Sequence, residues 1–114
     1  MKIADGMARY DAFHGLVRAN CARIDDHARC RTKASVEERL RYRRDGTLAA
    51  MTCAAIVDTM VQAAGARSQH RTSPFQLIQR DMHVAATHVM LDRDDANELY
   101  GKHVLGQDLG KVRF

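Results

Sequence analysis

The chain has 114 residues, 46% hydrophobic and 28% charged, and its 18 Lys and Arg against 14 Asp and Glu give a formal net charge of +4. That length sets a single domain, residues 1–114, as the expectation, and the balance of apolar and charged residues excludes a disordered chain. No run of about 18 apolar residues marks a membrane span, and Met1–Gly6 lacks the apolar stretch of a secretory signal, so the cytoplasm is the expected address. Cys21, Cys30 and Cys53 are too few and too irregularly spaced for a disulfide framework or a zinc site.

One proline and seven glycines punctuate the chain thinly, which points to long helices. The first segment places Ile3, Met7, Tyr10, His14, Val17, Cys21, Ile24 and Ala28 at alternating four and three spacing. This predicts one apolar stripe along a helix of about seven turns. Ser35 and Glu38 then form a capping box that starts a second helix. It should run to about Ala64 and stop at Gly65, which tolerates the left-handed conformation. Around its first half, Arg29, Arg31, Lys33, Arg39, Arg41, Arg43 and Arg44 face only Glu37, Glu38 and Asp45. The reading is a solvated helix face, because a nucleic-acid surface needs aromatic platforms and only Tyr42 is interleaved. The second half, Leu48 to Ala63, is apolar nearly all round and must be covered on several sides.

Gly65 to Thr72 reads as a polar loop. Ser73 and Gln76 form a second capping box, with Pro74 at the first helical position, where its missing N–H costs nothing. The third helix should bury Phe75, Ile78, Met82, Ala85 and Val89 and end near Leu91. Asp92 to Asp95 start a fourth, short helix that Gly106 closes. No segment alternates as a strand does, so the expected fold is all-α, an antiparallel helical bundle. Its apolar surface exceeds what one chain of four helices covers, and a homodimer is the cheapest completion.

Six histidines are the candidates for chemistry. His14 lies in the apolar stripe, as a hydrogen-bonded core residue would; His27, beside Asp26, reads as solvated, and His70 sits in the loop. His83 and His88 are five apart, turned about 140° from each other on a helix, so they cannot chelate one metal ion. His88 shares a predicted face with Asp81, Val84 and Ala85, which suits either a structural histidine or an acid–base group. The turn Gly65-Ala66-Arg67-Ser68 reads either as an ordinary helix stop or as amides and a guanidinium offered to a phosphate. No nucleophilic triad and no dinucleotide or phosphate-loop fingerprint occurs.

Four stretches in order carry a family resemblance: Ala64-Gly65-Ala66-Arg67-Ser68; Ser73-Pro74-Phe75-Gln76 through Arg80-Asp81-Met82-His83 to His88; Glu98-Leu99-Tyr100-Gly101; and Leu105-Gly106. Together they resemble the C-terminal end of flavin-dependent monooxygenases with the acyl-CoA dehydrogenase fold, which hydroxylate phenols, seco-steroids and dibenzothiophene. The likeness is strongest over residues 48–106. It implies a four-helix bundle that drives assembly of a homo-oligomer, dimer or tetramer. It also implies FAD or FMN as cofactor, an aromatic small-molecule substrate and a flavin reductase as partner, with no nucleic acid and no membrane. By position in the motif, His88 corresponds to the family histidine that bonds the substrate hydroxyl or flavin hydroperoxide and aids proton transfer. Gly65, Ala66, Arg67 and Ser68, with Phe75 and Gln76, correspond to the part that reaches toward the flavin of a neighbouring subunit. Ala66 departs from the double glycine common in the family. Members also carry an N-terminal helical domain and a middle β-domain that hold most of the flavin and substrate. The alternative is a stand-alone self-association module without activity.

Overall fold

The computed structural model describes residues 2–112, among which no strand occurs. Four helices follow one another: α1 (Lys2–Cys30), α2 (Val36–Ala63), α3 (Pro74–Ala86) and α4 (Arg93–Val104). Single 3₁₀ turns, Ala66–Gln69 and Val89–Leu91, flank α3. Helix α2 is the centre, and α1, α3 and α4 each pack on it. Contacts of Gly6 with Met60, Asn20 with Asp45 and His27 with Glu38 show α1 running antiparallel to α2. At Gly6 the side chains of α2 pack directly on the α1 backbone: an added Cβ would lie 2.9 Å from Met60 Cε and 3.5 Å from Ile56 Cγ2.

The local signals work as the sequence implies. Both bonds of the capping box form, Glu38 N–H to Ser35 Oγ at 3.1 Å and Ser35 N–H to a Glu38 carboxylate oxygen at 2.8 Å. Gly65 stops α2 with φ +76°. Asp92 caps α4 through the amides of Asp94 and Asp95, and Gly106 at φ +66° ends it with paired bonds back to His103 and Lys102. Ser73 caps α3 through the Phe75 amide, and neither bond of the expected box with Gln76 forms.

Three expectations are corrected. First, α1 turns a different face inward: Gly6, Phe13, Asn20 and His27, spaced by seven, are buried or half-buried. The predicted stripe is partly outside, with Ile3 68% and Met7 55% exposed and Tyr10 and Ile24 also exposed. Second, α3 stops at Ala86 rather than near Leu91. Thr87 Oγ donates to the Val84 carbonyl, and the His88 ring accepts from the Met90 amide, so side chains take over the bonds that would continue the helix. None of Phe75, Ile78, Met82, Ala85 and Val89 is buried.

Third, only part of the arginine-rich stretch is a solvated face: Arg29, Arg31, Lys33 and Arg39 are exposed, whereas Arg43 and Arg44 are half-buried and paired. Asp45 is 1% exposed, accepting from Asn20 Nδ2 of α1 at 2.8 Å and from the Arg44 guanidinium at 2.7 and 2.9 Å. Arg44 lies 4.2 Å over the Tyr100 ring of α4, and Arg43 reaches Asp95 at 2.5 Å. A buried carboxylate is tolerated only with such partners, so this node fixes α1, α2 and α4 together.

The apolar core is small: Leu40, Ala54, Val61 and Ala96 are the hydrophobic residues fully buried among those described. The accessible surface is 8331 Å², whereas a compact monomer of this mass exposes about 6300 Å². The radius of gyration, 17.0 Å, likewise exceeds the about 13 Å of a compact chain of this length. By length and composition alone α2 is also apolar enough to cross a membrane, where the sequence reading found no such run, and 22% of its most apolar 18-residue window is buried in this chain. Its place under three other helices is that of a bundle's central helix.

Replacing Asp45 by Ala strands Asn20 and Arg44 and should cost about 3 kcal/mol in urea unfolding. Breaking the exposed Asp5–Arg9 pair should cost under about 0.5 kcal/mol. Acid acts through the capping box: bonds from Ser35, then His27, hold the Glu38 carboxyl at about 2, below its ordinary 4.5. A depressed folded value means the stabilisation is full above pH 4.5 and is lost as pH falls toward about 2. Glu38→Gln should flatten the fall in melting temperature across that window.

Candidate functional site

Residues Met51, Ala54, Ala55 and Asp58, spaced for one face of α2, form one wall of an open groove of about 600 Å³. His83 and Ala86 from the end of α3, then His88 and Leu91 from the following turn, form the other. Thr87, Val89, Asp92 and Arg93 complete the lining, in which apolar residues alternate with polar and charged ones.

His88 is exposed and sits before the 3₁₀ turn rather than on α3, so it shares no helical face with Asp81. Its Nδ1 accepts from the Met90 amide at 3.2 Å. In the neutral ring the proton is then on Nε2, which leaves His88 as a donor. His83 Nε2 bonds Asp58 Oδ1 at 2.9 Å, and Gln79 donates to the same oxygen at 2.7 Å. These bonds, Gln79 first, hold the Asp58 carboxyl below the usual carboxylate range. The pairing of Asp58 with His83 escapes a reading of the sequence, because 25 residues separate them.

The remaining predicted site residues lie at the other end of α3. Ala66 and Arg67 are exposed and line an open hollow of about 640 Å³ with Gln69 and His70. Phe75 is 44% exposed and Gln76 half-buried. Ser68 is buried, and its hydroxyl faces the Gly65 carbonyl at 2.6 Å and the Val61 carbonyl at 3.0 Å, so it braces the turn from inside. The chain therefore groups residues 65–68 with Phe75 and Gln76, and holds His88 apart from them. Between Phe75 and Ala86 the helix rises about 17 Å.

Three other histidines, His14, His27 and His70, have structural partners. His14 is half-buried and stacks on Tyr10 with centroids 5.1 Å apart, where a hydrogen bond was expected. His27 is half-buried rather than solvated, bridging Thr32 at 2.8 Å and Glu38 at 3.3 Å. His70 bonds Thr72 at 2.9 Å. Among the described residues no cluster of His, Cys, Asp and Glu is arranged to hold a metal ion. Burial pushes the Cys53 thiol up, away from nucleophilic use.

An all-helical bundle with this element order and an apolar groove beside a motif histidine defines the class. The chain belongs to the family described as acyl-CoA dehydrogenase, C-terminal domain, which it matches over residues 1–93. Among solved structures it is similar to the HsaA monooxygenase from M. tuberculosis, with a TM-score of 0.88 and 26% identity over 97% of this chain. It is similar also to the 3-HSA hydroxylase from Rhodococcus sp. RHA1 (TM-score 0.88, 25% identity, 96% of this chain). A third likeness is to XiaF from Streptomyces sp., solved with FADH2 and glycerol (TM-score 0.81, 28% identity, 97% of this chain). The chain spans 29% of the length of each of these proteins. No curated protein sequence matches it significantly. The chain is thus homologous to the C-terminal domains of flavin monooxygenases.

Replacing Ser68 by Ala removes the brace and should lower stability by about 1 kcal/mol. Thermal melting checks the loss, and limited proteolysis should then cut within residues 65–70 first.

Proposed function

We propose that this chain serves as the C-terminal bundle of a flavin-dependent aromatic monooxygenase, with His88 as acid–base residue, with Gly65, Ala66, Arg67, Phe75 and Gln76 facing flavin, and with buried Ser68 supporting that turn from inside. The observation that carries this reading is His88 at the rim of an apolar groove, its Nδ1 fixed by a backbone amide. A donor so oriented suits a developing or resident negative charge on oxygen.

The residues at the far end of α3 suit a flavin. Arg67 is exposed and makes no ion pair among the described residues, so its guanidinium is available to a phosphate or to the ring's carbonyl edge. Phe75 offers an exposed aromatic face beside the same turn. FAD or FMN, when bound, would supply the oxygen-activating redox chemistry. The roughly 17 Å of helix between this cradle and His88 exceeds the ring system of one flavin. With Arg67 on the ring's carbonyl edge, one chain would lend His88 to one flavin and the cradle to the flavin of a neighbouring copy. Such a site is incomplete without a dimer or tetramer, and a reductase would deliver the electrons. The exposed stripe Ile3, Met7, Tyr10 and Ile24 supports self-association; it equally favours a second reading, an association module that keeps the bundle and lacks the chemistry.

Titration of oxidised and reduced FAD and FMN against the chain, with sedimentation of the same samples, separates the two. The expected result is an oligomer that binds flavin, with affinity about tenfold weaker, or about 1.4 kcal/mol, in Arg67→Ala. An oligomer that binds neither flavin favours the association module, and a monomer at micromolar concentration counts against both.

A further inference from the structure

The groove at the His88 end of α3 contains more than the motif histidine. His83 lines it too, one turn before the helix ends, and its ring is held from behind by the Asp58 carboxylate through Nε2. Gln79 pins the same carboxylate oxygen from the preceding turn of α3, so Asp58 is tethered by two donors. A neutral imidazole that donates Nε2–H to a carboxylate keeps its lone pair on Nδ1. His83 Nδ1 has no hydrogen-bond partner among the described residues. His88 is set the opposite way: the Met90 amide occupies its Nδ1, and Nε2–H is the free position. The groove thus carries one nitrogen prepared to accept and one prepared to donate, above an apolar wall formed by Met51, Ala54 and Ala55.

We infer that His83, turned by Asp58, is the proton acceptor of this groove and works with His88 as a matched pair for one hydroxyl group on an aromatic ring. The inference rests on the function proposed above and adds a residue to it. The hydroxyl donates to His83 Nδ1 while its oxygen accepts from His88 Nε2–H. In the proton-transfer step the ligand's O–H bond breaks and an N–H bond forms at His83 Nδ1. The electron pair stays on the ligand oxygen as phenolate, held by His88, and the new imidazolium faces the Asp58 carboxylate. Asp58 acts only through His83 and is a positioning residue.

Two measurements on the full chain test this. Long-range ¹H–¹⁵N NMR of the histidine rings reads the tautomers directly: His83 should be the Nε2–H form, and Asp58→Asn should abolish that preference while leaving the His27 and His70 signals in place as a check on folding. Titration with 4-nitrophenol, whose phenolate is coloured, should then move the His83 Nδ1 resonance toward its protonated position and raise the phenolate band. His83→Gln should reduce that phenolate fraction at least tenfold, and Asp58→Asn should reduce it in the same direction. A His83 found as the Nδ1–H form overturns the inference, as does absence of 4-nitrophenol binding at millimolar concentration. So does a phenolate band that depends on His88 and is indifferent to His83→Gln. Each of these leaves flavin binding at the opposite end of α3 untouched, so failure of the pair is distinguishable from failure of the flavin reading.

Discussion

Asp45 is the constraint on which the arrangement of helices depends. A carboxylate 1% exposed in the middle of the longest interface must be paired, and its partners come from different places in the chain. Asn20 crosses from α1, while Arg44 comes from the adjacent position and carries the connection to Tyr100 of α4. Sliding α1 along α2 by one turn would bury the charge without its amide. Apolar contacts alone would not impose that register, since α1 offers a nearly continuous choice of apolar residues along its length. The core residues Leu40, Val61, Ala54 and Ala96 lie on α2 and α4, and α1 contributes none of them. What α1 contributes instead is Asn20, Gly6 and half-buried Phe13 and His27, a heptad set in which packing is close but polar.

That division explains which parts of the fold were legible. Helix starts and stops at Ser35, Gly65, Ser73, Asp92 and Gly106 are decided within one turn of chain, by side chains satisfying free amides or by glycine accepting a positive φ. A sequence shows these directly. The end of α1, which the apolar stripe places near Ala28, follows the same bonding pattern, with Arg31 rather than a glycine in the left-handed position at φ 53°. The inward face of α1 was misassigned for a different reason. Hydrophobic periodicity reports which face avoids water, without telling whether the same chain or another covers it. Arg43 and Arg44 read as solvated because their pairing to Asp95 and Tyr100 depends on α4, some fifty residues away.

The candidate site divides along the same line. His88 stood out only by its place in a motif; from periodicity it belonged to a helix that in fact ends two residues earlier. Its exposure and its ring orientation both follow from that early end, because a histidine inside a helix would have no free amide to accept from. Asp58 and His83 had no local signal, one being a lone acid in an apolar stretch and the other a lone histidine. Their meeting depends on α3 running antiparallel along the second half of α2.

Helix α3 acts as a strut whose two ends carry different groups, a cationic turn with an aromatic neighbour at one and a histidine groove at the other. A rigid helix cannot fold back to bring its ends to one small ligand, so any site that uses both ends draws them from different copies or spans the whole strut. This chain leaves about 2000 Å² more exposed than a compact monomer of its mass would, a quantity in the range of a stable subunit interface. Ile3, Met7, Tyr10 and Ile24 place part of it on the outer face of α1. A sheet would expose such a surface together with unpaired backbone groups, whereas a helix satisfies its own backbone and exposes only side chains. Incompleteness is therefore a state that these helices can hold with their internal hydrogen bonds intact, and under the proposed role it is the condition that lets one chain's cradle reach another chain's histidine.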